Sequence, residues 1–288
     1  MTTTLVQAWT SARDRLKAAG IDQPVLDARV LVEAAAGATR TDILTDPYRP
    51  LSEAQIATLD EYVERRTRRQ PVSHIVGRKG FWTIMLGVTP DVLTPRPETE
   101  LLVGFALQSF PEGRPFTVLD LGVGSGCILL AILAERPAAR GLGVDVSEEA
   151  LAVARDNAAS LGLAGRAAFL RGDWTAGLAD ASFDLVVSNP PYIATEVIET
   201  LQPEVRDHEP RLALDGGPDG LDTYRILASE VLRVLRPDGA FALEIGYDQG
   251  PMVEALMQAA GANEVRVMQD LAGKDRVVAG RKKAPARP

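Results

Sequence analysis

Cysteine and histidine are scarce in this 288-residue chain, which holds one cysteine, Cys127, and two histidines, His74 and His208. A single thiol excludes an internal disulfide and a thiolate metal cluster. The histidines lie far apart and outside any ligand spacing, so no metal centre is expected and each reads as structural or solvated. Long apolar runs are also missing. No stretch approaches the roughly 20 residues that a membrane-spanning helix needs. Met1–Gln7 lack the basic start and continuous apolar core of a secretory signal, so the expectation is a cytoplasmic protein without membrane contact. Positive charge is in deficit. A net charge of −8 argues against a chain that holds nucleic acid through its phosphates, and no stable nucleic-acid binding is expected. Residues 1–85 depart from this balance with a net charge of +2, which makes the N-terminal part the better docking surface for a phosphate-bearing partner.

What is present is the composition of an ordinary globular protein, 46% hydrophobic and 24% charged, with enough length for about two domains. Residues 1–72 place apolar side chains at helical spacing, as in Leu26, Val30, Leu31 and Ala34, and read as a small helical domain. Within it, Leu51-Ser52-Glu53 offers a capped start to a helix running toward Arg69. The run Glu64-Arg65-Arg66-Thr67-Arg68-Arg69 at its end reads as a solvated face before it reads as a partner contact. Residues 73–90 turn to short β-like runs, including Phe81-Trp82-Thr83-Ile84, divided by Gly77, Gly80 and Gly87, and read as a hairpin linker.

From Phe116 onward β-rich runs alternate with helical segments. The strands expected are Phe116–Leu121, Gly141–Asp145, Ala167–Arg171, Phe183–Ser188 and Ala240–Ile245, interleaved with helices Cys127–Glu135, Glu148–Leu161 and Leu221–Leu235. This alternation specifies a Rossmann-like α/β domain over residues 91–281, with a mostly parallel sheet and helices on both faces. Two final strands, Asn263–Gln269 and Arg276–Ala279, are joined by too short a loop for a crossover helix, so one strand must run antiparallel. Residues 282–288 are basic and Pro-containing and read as a disordered tail.

The first of these strands ends in Asp120-Leu121-Gly122-Val123-Gly124-Ser125-Gly126, directly before a helix. Glycines at alternate positions let the turn approach a ligand without Cβ clashes, and the helix N-terminus behind them offers unpaired backbone N–H groups. The spacing is G-x-G-x-G after an acidic residue, unlike the dinucleotide G-x-G-x-x-G, and resembles the nucleoside-binding loop of Rossmann-like methyltransferases. The second strand ends at Asp145, where a carboxylate can accept from both hydroxyls of a ribose. Its plainer use would be to cap the following helix, a task for which Ser147 is better placed. After the third strand comes Gly172-Asp173-Trp174, whose indole can flank an adenine and whose Asp173 can accept from its amine. Cys127, in the first turn of the helix, reads as packing.

At the end of the fourth strand stands Ser188-Asn189-Pro190-Pro191-Tyr192. Two prolines stop strand pairing and stiffen the backbone. The Asn189 side-chain oxygen and the Pro190 carbonyl can then accept both hydrogens of an NH2 group, while Tyr192 supplies a flat face for stacking. An amide nitrogen is a poor nucleophile because its lone pair is delocalised. Holding its hydrogens in one geometry favours pyramidalisation and aims the lone pair at a methyl donor. A sulfonium donor carries its own leaving-group driving force, so no strong base is required.

Together these residues resemble the protein-(glutamine) N-methyltransferases that modify release factors, over nearly the whole chain. The matching segments include His74–Gly77, Thr94-Pro95-Arg96-Pro97-Glu98-Thr99-Glu100, Asp120–Gly126, Asn189–Tyr192, Glu209–Asp222, Leu243–Tyr247 and Asp270–Arg276. The resemblance implies S-adenosyl-L-methionine as cofactor and S-adenosyl-L-homocysteine as product. It implies contacts to the cofactor from Gly122, Val123, Gly124, Ser125, Gly126, Asp145, Trp174 and Asn189. It implies that Asn189, Pro190, Pro191 and Tyr192 hold the target glutamine of a Gly-Gly-Gln motif in a peptide-chain release factor, with Asn189, Pro190 and Tyr192 catalytic. The N-terminal helices would help grip that substrate. Val123 stands where the family often has Thr, at a position whose backbone alone need touch a ligand. Arg96 and Glu100 are expected to line the site.

The same N-P-P-Y logic suits any planar NH2, so a nucleic-acid adenine or cytosine amino-methyltransferase is the nearest alternative. The acidic balance and the lack of a large basic recognition domain disfavour it. A nicotinamide-dependent oxidoreductase is disfavoured by the glycine spacing, and a non-catalytic adaptor that binds a translation factor through residues 1–70 is a third reading, which product formation surviving Asn189→Ala would favour.

Overall fold

The computed structural model describes residues 3–284, and the chain divides into two compact units. The first comprises the chain up to Arg78 together with Gln202–His208; the second comprises Lys79–Leu201 and the chain from Glu209 onward.

The first unit is built from α1 (Leu5–Ala18), α2 (Pro24–Ala36), α3 (Arg40–Thr45), α4 (Glu53–Thr67) and α5 (Val72–Val76). Pro24 opens α2 at a position whose N–H would be unpaired in any case. Thr39 and Ser52 cap α3 and α4, their hydroxyls accepting from the N–H of Asp42 at 3.1 Å and of Gln55 at 3.2 Å. Leu5, Leu16, Leu31, Val32, Leu59 and Val63 then form one buried core. Each such side chain contributes about 1.5–3 kcal/mol on leaving water.

The arginine run ending α4 is only in part a solvated face. Arg68 is exposed and pairs with Glu64 on its own helix. Arg66 is buried instead, and its guanidinium bridges Asp27 at 2.7 Å and Glu204 at 2.8 Å. Glu204 lies in the returning segment Gln202–His208 and also takes Arg69 at 3.4 Å. Removing one member of so buried a cluster leaves an uncompensated charge.

A strand pair follows, β1 (Arg78–Phe81), which begins at the last residue of the first unit's N-terminal stretch, and β2 (Ile84–Gly87). The β-like stretch from residue 73 therefore begins as a helix, α5, which Gly77 ends at φ 71. A short 3-10 turn, Pro97–Thr99, leads into α6 (Glu100–Ser109). Then follow β3 (Thr117–Leu121), α7 (Cys127–Glu135), β4 (Arg140–Asp145), α8 (Glu148–Ser160), β5 (Ala167–Arg171) and β6 (Phe183–Ser188). After α9 (Pro203–Arg206), which belongs to the helical unit, come α10 (Asp222–Val234), β7 (Leu235–Glu244), α11 (Gly250–Ala259), β8 (Ala262–Gln269) and β9 (Asp275–Lys282).

The seven strands form one sheet in the order β5-β4-β3-β6-β7-β9-β8. Pairs β5–β4, β4–β3, β3–β6 and β6–β7 are parallel, whereas β9 runs antiparallel to both β7 and β8. The alternation of side chains along β3 and β6 builds both layers. Val118, Leu185 and Val187 face a core with Phe105, Leu129 and Leu151, while Leu119, Leu121 and Val186 face one with Tyr224, Leu227 and Val253. β9 carries Arg281 and Lys282, which the sequence assigned at or beside the start of a tail, and residues 285–288 of that tail lie outside the described residues. Among the described residues no helix is long and apolar enough to cross a membrane.

Asn157 on α8 fastens two loops to this frame. Its Nδ2 donates to the carbonyls of Gly87 at 3.0 Å and Ser125 at 2.9 Å, and its Oδ1 accepts from Gly87 N–H at 2.7 Å. The side chain is buried, so truncation strands three backbone groups that water cannot easily reach. Asn157→Ala is expected to lower the stability of the folded protein by about 2–3 kcal/mol. Urea unfolding followed by circular dichroism checks this, and a loss below about 0.5 kcal/mol would show the loops to be held by other means.

Candidate active site

The parallel order reverses between β3 and β6, and a crevice opens there at the carboxyl ends of the strands. One wall is the glycine turn. Gly122, Gly124 and Gly126 sit at φ 70, 52 and 81, left-handed conformations in which a side chain would be strained. The turn is tied to β4, because the N–H groups of Gly122 and Val123 both donate to the Val144 carbonyl, at 2.9 and 3.0 Å. Gly143 on β4 has no side chain for a reason: a Cβ there would lie 2.7 Å from Val123 Cγ2.

Asp120, buried at the end of β3, accepts from Leu129 N–H at 3.1 Å and so anchors the first turn of α7. Burial pushes its carboxyl up to about 8, with the Asp145 charge adding to the rise and the Leu129 hydrogen bond opposing it. Asp145 itself is half-buried at the end of β4. Its Oδ2 accepts from Gly124 N–H at 2.9 Å and its Oδ1 from Ser147 N–H at 3.0 Å. Ser147 does the capping of α8, accepting from Ala150 N–H at 3.1 Å. Trp174 follows β5 with φ 49, a conformation rarely adopted by an aromatic residue, and its ring lies beside the Gly122 turn.

The glycine turn, Asp145 and Trp174 border one cavity of about 430 Å³. Of the residues the sequence singled out, Gly122, Val123, Gly124, Ser125, Asp145, Trp174, Asn189 and Pro191 line it. Gly126, Pro190 and Tyr192 do not. Gly126 turns the chain into α7, where a Cβ would meet Leu130 at 2.9 Å, and Pro190 is buried behind the corner. Tyr192 packs against the core of Tyr224 and Val253, where burial raises its phenol far above the usual range.

The Asn189–Tyr192 corner is braced from behind by residues the sequence reading did not single out. Gln249 Nε2 donates to the Tyr192 carbonyl at 2.9 Å and to the Gly220 carbonyl at 3.1 Å. Gly216 and Gly220 permit this close approach, since a Cβ on either would lie 2.8 Å from Tyr192 Cα or 2.4 Å from the Tyr192 carbonyl. On the other side Asn189 Nδ2 donates to Thr99 Oγ1 at 3.3 Å. Arg96 lines the cavity and pairs with buried Glu209 at 2.5 Å, which joins the Thr94–Glu100 segment to the Glu209–Leu214 segment. Burial pushes the Glu209 carboxyl up against the opposing pull of Arg96. Glu100 lies away from the cavity and accepts from Trp82 N–H at 2.9 Å.

Comparison with known proteins follows the same division of the chain. Residues 7–77 match the family described as the PrmC N-terminal domain, and residues 114–279 match one described as a methyltransferase domain. A release factor glutamine methyltransferase of Caulobacter vibrioides is 70% identical over 97% of this chain and 97% of its own length. The chain belongs to the release factor glutamine methyltransferases. A second member, from Rhodospirillum rubrum, is 45% identical over 94% of this chain and 82% of its own. A methyltransferase of Pyrococcus furiosus, at 19% identity and a TM-score of 0.51 over 69% of this chain and 88% of that one, shares the fold.

Cys127 opens α7 and borders the cavity, half-buried against the core of Ile128 and Leu129. Burial pushes its thiol up to about 12, and the nearby carboxyls of Asp120 and Glu244 add to the rise. An environment that disfavours the thiolate suits a packing role. Alkylation by iodoacetamide at pH 8 is expected to run about a hundredfold slower in the folded protein than in the urea-unfolded chain. Equal rates in the two states, followed by mass spectrometry, would contradict this environment.

Proposed function

We propose that the cavity holds S-adenosyl-L-methionine, and that the Asn189–Tyr192 corner presents to it the side-chain amide of the glutamine in the Gly-Gly-Gln motif of a peptide-chain release factor. When bound, this cofactor supplies an electrophilic methyl carbon on a sulfonium. The residues suit such a guest. A cavity of about 430 Å³ is the size of a small-ligand site. Each Asp145 oxygen uses one lone pair on a backbone N–H and keeps another for a ribose hydroxyl. The Trp174 ring beside the glycine turn offers a face to the adenine. Gly122, Val123, Gly124 and Ser125 give the cofactor a wall without bulk.

The observation that carries the reading is the orientation of Asn189. Its Nδ2 is spent on Thr99, which leaves Oδ1 as the side-chain acceptor for an incoming NH2. The Pro190 carbonyl is the second acceptor, on a backbone that two prolines hold rigid. Holding both hydrogens in place localises the amide lone pair, and Tyr192 backs the corner from the core. Catalysis is then positioning, with the proton lost after transfer. Asn189, Pro190 and Tyr192 are the residues assigned to it. The acidic balance of the chain supports a protein substrate over a nucleic acid, and the reaction belongs in the cytoplasm, where release factors act.

We assign docking of the release factor to residues 1–72, within the helical unit. It carries its own concavity of about 410 Å³, bordered by Asp22, Gln23, Pro24, Val25, Leu26, Arg29 and Arg40, and Val25 and Leu26 are exposed there. Exposed apolar side chains beside arginines suit a protein partner.

Incubation of enzyme, cofactor and release factor is expected to add one methyl group to a glutamine-containing peptide, read by mass spectrometry, with no transfer to DNA or RNA. Asp145→Ala should weaken cofactor binding about tenfold or more in calorimetry, whereas Asn189→Ala should weaken it less and lower kcat about a hundredfold or more. The reverse pattern would refute the assignment of the two walls. Leu26→Asp should raise KM for the release factor about tenfold without changing cofactor affinity. An unchanged KM would remove the helical unit from substrate recognition.

A further inference from the structure

Two prolines stiffen the Asn189–Tyr192 corner, yet a stiff piece of chain aims nothing unless both of its ends are fixed. The first end is fixed by the sheet. Ser188 pairs with Leu121 on one side and with Leu243 on the other, and its hydroxyl donates to the Leu121 carbonyl at 2.6 Å. The second end leaves the sheet at Tyr192, where a side chain that the proposed chemistry has not used takes hold. Gln249 stands directly before α11 and is 6% exposed. Its Nε2 gives hydrogens to the Tyr192 and Gly220 carbonyls at 2.9 and 3.1 Å, and its Oε1 accepts from Gly246 N–H at 2.9 Å. One carboxamide thereby ties together three segments that the sequence singled out, Asn189–Tyr192, Glu209–Asp222 and Leu243–Tyr247.

The carboxamide has one workable orientation. A side-chain amide carries two hydrogens on its nitrogen and lone pairs on its oxygen, and here two carbonyls and one N–H surround it. Turned over, its oxygen would face two carbonyl oxygens and its NH2 would face an N–H, leaving buried groups unpaired. The backbone beneath it is set as well. Gln249 N–H donates to the Gly246 carbonyl at 3.0 Å, and the Gln249 carbonyl accepts from Met252 and Val253 N–H at 3.1 and 3.0 Å, which fastens the residue to the first turn of α11. Val253 is buried in the core against which Tyr192 packs. Beyond Tyr192 the chain runs beside Leu214–Gly217: Ile193 N–H donates to the Leu214 carbonyl at 2.9 Å, and the Ile193 carbonyl accepts from Gly216 N–H at 2.8 Å. These bonds hold the stretch that follows the corner, and the Tyr192 carbonyl itself is held by Gln249.

We propose that Gln249 is a positioning residue for methyl transfer: it fixes the Tyr192 end of the corner and, through that end, the direction of the Pro190 carbonyl. The inference rests on the reading that Asn189 and Pro190 accept the hydrogens of the target amide. Between Ser188 and Tyr192 lie Asn189, Pro190 and Pro191, and the proline rings lock φ at about −65° in two of these three residues. Few rotations remain, so a shift of the Tyr192 carbonyl is passed back to the Pro190 carbonyl instead of being absorbed on the way. A target amide that finds one acceptor out of place is still bound, because docking elsewhere on the release factor supplies binding. Its lone pair is no longer aimed, and that loss falls on the transition state. The effect should therefore appear in kcat. Gln249 does not border the cofactor cavity, so cofactor affinity should be spared.

The test measures kcat, KM for the release factor and cofactor Kd for wild type, Gln249→Met, Gly216→Ala, Asn189→Ala and the double variant Gln249→Met with Asn189→Ala. Methionine keeps the length of the side chain and has no hydrogen to give. Gln249→Met should lower kcat about tenfold or more, with KM and Kd each within about threefold of wild type. Calorimetric binding of the cofactor also reports that each preparation is folded. A side chain that merely stabilised the fold would weaken Kd in step with kcat, and its effect would multiply with that of Asn189→Ala. Acting through the corner, Gln249→Met should slow Asn189→Ala by no more than about threefold further, because the corner is already disabled. Multiplied losses, a Kd that weakens in step with kcat, or wild-type kcat in Gln249→Met would overturn the proposal. Should Gln249→Met not fold, Gly216→Ala presses on the same end with Gln249 in place, its Cβ 2.8 Å from Tyr192 Cα, and should give the same split. Wild-type kcat in that variant would overturn the proposal as well. Asn189→Ala separates the two levels: wild-type turnover there sinks the underlying reading, whereas an inactive Asn189→Ala beside a normal Gln249→Met sinks this inference alone.

Discussion

Parallel pairing of β4, β3, β6 and β7 brings four strand ends into one row, and every chemical feature of the catalytic unit hangs on that register. Leu121 pairs with Val144 and with Ser188, and Ser188 pairs with Leu243. One residue beyond each pairing lie the glycine turn, Asp145, Asn189 and Glu244. A slip of one position in any strand would exchange the two faces of that strand and send its functional side chain into the wrong layer. The apolar cores on the two sides of the sheet therefore do more than stabilise it. By fixing which face is which, they decide which polar groups reach the crevice.

Loops that carry ligands are usually the mobile part of such a fold. Here they are held by buried polar side chains whose partners are backbone groups. Asn157 grips the glycine turn through Ser125, Gln249 grips the Asn189 corner through Tyr192, and the Arg96–Glu209 pair joins the two segments that close the cavity. Each places hydrogen bonds where water is scarce, which makes the arrangement stiff. A reaction that relies on aim rather than on a strong base needs this stiffness.

Much of this could be read from the residues in order. The alternation from Phe116 onward has a period that only a parallel α/β sheet satisfies, and the short Gly-containing link before Arg276 allows only an antiparallel return. Both follow from chain geometry, and the sheet has them. The glycine turn was legible because φ values of 52 to 81 at alternate positions favour glycine. What could not be read is the network behind the site. Thr99, Glu209, Gln249 and Glu244 are polar residues of unremarkable type. Their meaning comes from partners between 29 and 115 positions away in the case of Gln249 and Glu209, and 90 in the case of Thr99. Thr99, Glu209 and Glu244 had one local signal, membership of the segments that resemble the family, and Gln249 had none. Arg66 was misread for a related reason, since a charge run looks solvated until the chain returns with Glu204 to meet it.

That return gives the chain an unusual connectivity. Because Gln202–His208 is part of the helical unit, the polypeptide leaves the catalytic unit after Leu201 and re-enters it at Glu209. The helical unit is thus discontinuous in sequence, completed by an insert that sits between the Asn189 corner and the Glu209 segment. Cutting the gene at the codon for Lys79 would not separate two modules. It would strip Arg66 and Asp27 from Glu204 and leave a fragment still carrying a piece of its former neighbour. An N-terminal segment moved onto another catalytic unit therefore keeps its Arg66–Glu204 pair only if the insert moves with it.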